Sequence, residues 1–128
     1  MILRNKIEKD FKMMTITKQN KTLYLIAKGV LDHNDCANFF SELNREINTA
    51  KDVRCYFEMV DCQGCTPEVF QKDYFLNLEK EKHLEKVAIV STPKYQEEFT
   101  RLLMPFSRAH IRYFDSKDSA TAKEWIEV

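Results

Sequence analysis

The last third of the chain constrains the fold most. Val87-Ala88-Ile89-Val90 is a short, wholly apolar run, as expected of a buried strand over Lys86 to Ser91. Tyr95, Phe99, Leu102, Leu103 and Phe106 then recur at helical spacing, and Pro105 stops that helix. A second strand follows over Ala109 to Phe114. Ser116 stands where a helix cap belongs, ahead of a terminal helix carrying Ala122, Trp125 and Ile126. Strand, helix, strand, helix in this order calls for parallel strands joined by right-handed crossovers.

The upstream residues extend the pattern. Met13 to Lys18 and Thr22 to Lys28 flank Gln19-Asn20-Lys21 and predict an antiparallel hairpin, with Gly29 ending its second strand. Asp32 is the expected N-cap of a helix striped by Cys36, Phe40, Leu43 and Ile47. Val53 to Val60 alternates, with Val53, Cys55, Phe57 and Met59 on one side and Arg54, Tyr56 and Glu58 on the other. That is the pattern of a sheet whose second face is only partly covered. Thr66-Pro67-Glu68 predicts a helix start, with Phe70, Tyr74 and Leu78 following to about His83. The expected order is ββαβαβαβα: about five strands in a mixed, mainly parallel sheet, with four helices.

A chain of 128 residues, 44% apolar, is the size of one domain with one core. Twenty basic and twenty acidic residues cancel, so the chain lacks the electrostatic footprint of a nucleic-acid binder. No apolar run is long enough for a membrane span. Charged residues interrupt Met1 to Phe11, so no signal peptide is expected. A cytoplasmic location with reduced thiols follows as the expectation.

The buried strand at Val87, Met104-Pro105-Phe106, Ala109 to Phe114 and the Trp125-Ile126 helix together resemble the SpoIIAA-like branch of the STAS superfamily. The resemblance runs from about residue 13 to 127. It leaves residues 1–12 as an N-terminal extension of a single domain spanning 1–128. It implies helices packed largely on one face of the sheet, and a distant relation to CRAL-TRIO lipid-binding domains. In the family's anti-sigma-factor antagonists, an acidic residue, a phosphorylatable serine, a further residue and a glycine occupy one strand-to-helix turn. Asp61 and Gly64 match that pattern, but Cys62 stands at the phosphoacceptor, which puts serine-kinase regulation there in doubt.

Cys62-Gln63-Gly64-Cys65 has a second reading. A CxxC between a strand and a helix start is placed to lower a thiol's pKa, as in thioredoxin-like enzymes. The element order differs from thioredoxin, however, and no tryptophan precedes the motif. His33 and Cys36 with Cys62 and Cys65 form a four-ligand set that zinc could take. Cys36 belongs to an apolar stripe and Cys55 to the apolar face of its strand, so buried, metal-free thiols are expected at both. No serine sits in a nucleophile elbow and no glycine-rich loop cradles phosphate. His33, His83 and His110 have structural roles available, and no catalytic residue or cofactor is assigned.

The expected function is therefore a non-catalytic module that engages a protein partner or an apolar small molecule. Its binding residues would be Asp32, His33, Asp61, Cys62, Gly64 and Thr66, where two helices begin. The alternatives are a lipid-like ligand carrier with a pocket at Phe70, Tyr74 and Phe99, and a redox or zinc site at Cys62 and Cys65. Nine phenylalanines are a surplus for a domain this small, which favours an apolar ligand or a partner surface. Trp125 is expected to be mostly buried near Ile111 or Tyr113. Tyr24, Arg54, Tyr56 and Glu58 are expected to form a homodimer contact, or else to lie under a cover made by Met1 to Phe11.

Overall fold

The computed structural model describes residues 6–11, 14–66, 83–95 and 109–128, with 6–11 and 62–65 described by backbone alone. Six strands form one open sheet in sequence order: β1 (Lys6–Phe11), β2 (Met14–Gln19), β3 (Thr22–Leu31), β4 (Val53–Cys65), β5 (Leu84–Ser91) and β6 (His110–Asp115). The pairs β1–β2 and β2–β3 are antiparallel; β3–β4, β4–β5 and β5–β6 are parallel. The mixed, mainly parallel sheet is as expected, with one strand more than expected. The extra strand is β1. Residues 6–11 lie at the sheet's edge, paired with β2, and do not fold back over a face.

The β2–β3 hairpin turns where Asn20 adopts a left-handed backbone (φ 58°), a conformation asparagine accepts more readily than most residues. Helix α1 (His33–Thr49) begins at a complete capping box. The Asp32 carboxylate accepts from the Asp35 N–H at 3.0 Å, and the Asp35 carboxylate accepts from the Asp32 N–H at 2.9 Å. Its stripe of Cys36, Phe39, Phe40, Leu43 and Ile47 packs on Leu23, Leu25, Cys55, Phe57, Val87 and Ile89, forming the larger core. Lys18 of β2 pairs with Glu46 of α1 at 2.9 Å, tying the hairpin to the helix. Among the residues of its own last turn, α1 has no base. His83 serves instead, its Nδ1 lying 2.7 Å from the Ile47 carbonyl oxygen. A carbonyl can only accept, so Nδ1 carries the proton.

Helix α2 (Ser119–Glu127) packs on the opposite face, with Ala122 and Ile126 against Tyr56, Ala88, Val90 and Phe114. Helices therefore cover both faces, which corrects the one-sided packing implied by the family resemblance. The cause lies in β5 and β6: Ala88, Val90 and Phe114 make the second face apolar enough to need a cover. Ser116 opens a short 3-10 turn (Ser116–Asp118) rather than capping the helix directly, and Asp115 accepts from the Lys117 N–H at the start of that turn. Of the four helices expected, the first and last are α1 and α2. The other two fall largely in 67–82 and 96–108, outside the described residues.

Candidate functional site

Strand β4 is the element that shapes the candidate site. It was expected to end at Val60 but continues to Cys65, five residues further. Its pairing with β5 stops at Glu58↔Val90, so the rest of β4 runs on beside β3 alone. The β3–β4 register slips twice in this stretch, passing from Lys28↔Val60 to Gly29↔Cys62 and then to Leu31↔Cys65. Each slip gives β4 one residue more than β3, the signature of a β-bulge. Two residues at the first slip take left-handed backbones, Gly29 (φ 69°) and Asp61 (φ 50°). Glycine accepts that conformation freely; for aspartate it is a tolerated strain. Asp61 is exposed.

Two consequences follow for the sequence-predicted residues. The Cys62 to Cys65 segment is extended strand, not a turn. That removes the helix-end argument for a depressed thiol pKa at Cys62. The end of the ribbon, in contrast, brings two predicted groups together. The Thr66 N–H donates to the Leu31 carbonyl at 2.8 Å, so Thr66 sits beside the residue that precedes the Asp32 cap. Asp32, His33 and Thr66 are half-buried at this end of the sheet, beyond Leu31↔Cys65, with Asp61 upstream on the same ribbon. The Asp32 and Asp35 carboxylates both serve the capping box. Phe70, Tyr74 and Phe99 lie outside the described residues. Among the described residues no three His, Cys, Asp or Glu side chains gather as a metal site.

The sequence marked this place only faintly. A lone glycine inside a strand pattern signals a bulge as readily as a strand end, and Gly29 is such a glycine.

The proposed dimer face has a different fate. Tyr56 is fully buried beneath α2, and Tyr24 packs against it with ring centroids 5.3 Å apart. The Tyr56 hydroxyl donates to Glu58 at 2.7 Å, and the Tyr24 hydroxyl donates to Glu127 of α2. Burial, then the neighbouring carboxylates, hold both phenols well above the ordinary tyrosine value. Arg54 holds the end of the helix. It donates to the Ile126 carbonyl at 2.7 Å and the Val128 carbonyl at 3.3 Å, and pairs with Glu85 at 2.7 Å. Lys86 donates to the Trp125 carbonyl at 3.3 Å. Among the described residues it is the chain's own α2 that packs over this face, with β3, β4 and β5 supplying the contacts to its C-terminal end. Its last turn has no base of its own.

Two open clefts flank this arrangement. One, about 390 Å³, is lined by Asn20, Lys21, Thr22, Asp52, Arg54, Glu85 and Glu127. The other, about 300 Å³, lies between α2 and the hairpin, lined by Thr17, Gln19, Tyr24, Ile26 and Lys123. Cys36 and Cys55 are buried, as expected, and in no disulfide, and burial pushes the Cys55 thiol up to about 12.

Comparison with known proteins agrees with this architecture. The family model described as SpoIIAA-like matches residues 22–127. A crystal structure of an uncharacterized protein of the DUF3478 family with a SpoIIAA-like fold, from Shewanella loihica PV-4, superposes with a TM-score of 0.60 at 20% identity, covering 94% of this chain and 91% of that one. No curated protein matches. Among the described residues no helix is long and apolar enough to cross a membrane.

Proposed function

The chain belongs to the SpoIIAA-like family, and on that premise we propose that it is a regulatory module that binds a protein partner without transforming it. The working surface is the end of the sheet where the β3–β4 ribbon runs past β5, with Asp61, Cys62, Gly64 and Thr66 on β4 and just after it, and Asp32 and His33 at the start of α1. The observation that carries the reading is the exposed, left-handed Asp61 at a double bulge. Bulges and strained backbones concentrate where a side chain must be aimed at a ligand or partner. Asp61 is also the acidic residue that matches the family's strand-end pattern. Cysteine at position 62 separates this chain from a serine-phosphorylation switch, so the reading rests on shape and charge, not on phosphate.

Binding is favoured over catalysis because the carboxylates nearest the α1 start are spent on its capping box. The lipid-carrier alternative is a separate matter, since its pocket residues Phe70, Tyr74 and Phe99 lie outside the described residues.

The test uses a photo-crosslinking residue at position 61 in the native cells, with position 52 as control. Asp52 is likewise exposed and left-handed (φ 59°), but it lies just before β4 at the other end of the strand. The proposal expects a discrete heteromeric adduct from position 61 and none from position 52. Equal adducts from both, or none from 61, would contradict it.

A further inference from the structure

Strand β6 ends the sheet, and among the described residues nothing pairs with its outer edge. An edge of this kind presents unpaired N–H and C=O groups to any chain that lies alongside it. On the α2 side of β6 the alternate residues are His110, Arg112 and Phe114, the first two exposed. Lys86 of β5 is the register partner of His110. All three basic side chains surround one indole, that of Trp125. Lys86 Nζ is 4.9 Å from the ring centroid, the Arg112 guanidinium carbon 5.9 Å, and the His110 ring meets it edge-on at 5.4 Å. Arg112 also stacks over Phe114 at 4.9 Å. Trp125 is mostly buried, as expected, but beside Phe114 and His110 rather than Ile111 or Tyr113, which strand alternation turns toward α1.

None of the ion pairs among the described residues uses Lys86, His110 or Arg112. Lys86 and Arg112 thus place two cations side by side on a chain with no net charge. The geometry also prepares Arg112. Its guanidinium carbon lies over two aromatic rings, which restrains the side chain while its N–H groups can fork a carboxylate. His110 and Arg112 repeat at the strand period, roughly 7 Å apart. Acidic side chains at alternate positions of an added strand would meet them in step.

We infer that the β6 edge with Trp125, Arg112, His110 and Lys86 is a docking site for an extended acidic segment of a partner protein. The segment lies along β6 and seats a carboxylate on Arg112. The surface is separate from the β3–β4 end proposed above, and either can hold without the other.

Trp125 is the only tryptophan of the chain, so its emission reports this surface alone. The probe is a short peptide alternating Glu and Val, titrated into the full chain, with a Gln–Val peptide as control. Expected is a saturable change in Trp125 emission with the Glu–Val peptide and none with the Gln–Val peptide. Arg112→Gln should weaken the apparent affinity about tenfold, and added salt should weaken it further. Circular dichroism of Arg112→Gln should match the parent, since the side chain is exposed. Amide shifts of residues 110–115 should move with the same midpoint. Failure to saturate at millimolar peptide, equal response to both peptides, or unchanged affinity in Arg112→Gln would each overturn the inference. So would a single-stranded DNA probe that competes better than the peptide.

Discussion

The two faces of the sheet are closed by different means. On one, α1 sets Cys36, Phe39, Phe40, Leu43 and Ile47 against strands whose inward residues are almost all apolar and under 4% exposed. On the other, a nine-residue helix buries Ala122 and Ile126 and partly buries Trp125. Polar contacts supply the rest: Arg54 and Lys86 on the last carbonyls of the helix, and Tyr24 on Glu127. The first face is held by area removed from water, the second by a small apolar contact plus hydrogen bonds aimed at a helix end. A short helix can close a face where the sheet brings donors to meet it.

The largest expected effect lies on the α1 face. Phe57→Ala, which opens the centre of the larger core, should cost about 3–5 kcal/mol in a denaturant titration. Trp125→Ala should cost clearly less, about 1–2 kcal/mol, because its ring is partly exposed and packs against the smaller apolar cluster. Equal losses would mean that the two faces are stabilised alike. Cys55 gives a pH arm to the same contrast. Its folded-state pKa is raised, so the unfolded chain ionises first, and stability falls between the ordinary thiol range near pH 9 and about 12. The slope from this one group approaches about 1.4 kcal/mol per pH unit. Cys55→Ala should flatten the alkaline limb by that amount, and an unchanged limb would show that the thiol reaches water. Arg54→Gln should have the smallest effect, about 1 kcal/mol, confined to the second face. Hydrogen exchange should quicken in 119–127 and stay unchanged in α1; uniform quickening would refute a local anchor.

The sequence revealed those features that depend on local pattern. The α1 stripe, its Asp32 cap, the hairpin at Asn20 and the buried run at Val87 each follow from neighbours a few residues apart. Its failures involve distance. Arg54, Tyr56 and Glu58 read as a partly covered polar face because nothing near them in sequence names Ala122 and Ile126 as the cover of Tyr56. His83 meets the end of α1, 36 residues earlier, a contact its own sequence neighbours do not announce. Residues 6–11 carry too many charges to read as a strand, although charged residues are a common way to protect a sheet edge from further pairing. At the candidate site the shape was not legible: reading Gly29 as a strand end hid both the bulges and the strand conformation of Cys62 to Cys65.

The central claim, that Asp61 at the bulged end of β4 is aimed at a protein partner, is best tested by affinity. The partner captured through position 61 would be titrated with the parent chain, Asp61→Gly and Asp52→Gly. Glycine accepts the left-handed backbone at both positions, so each variant should fold at least as stably as the parent. The account predicts roughly tenfold or greater weakening for Asp61→Gly and none for Asp52→Gly. Equal affinities for all three chains would contradict it.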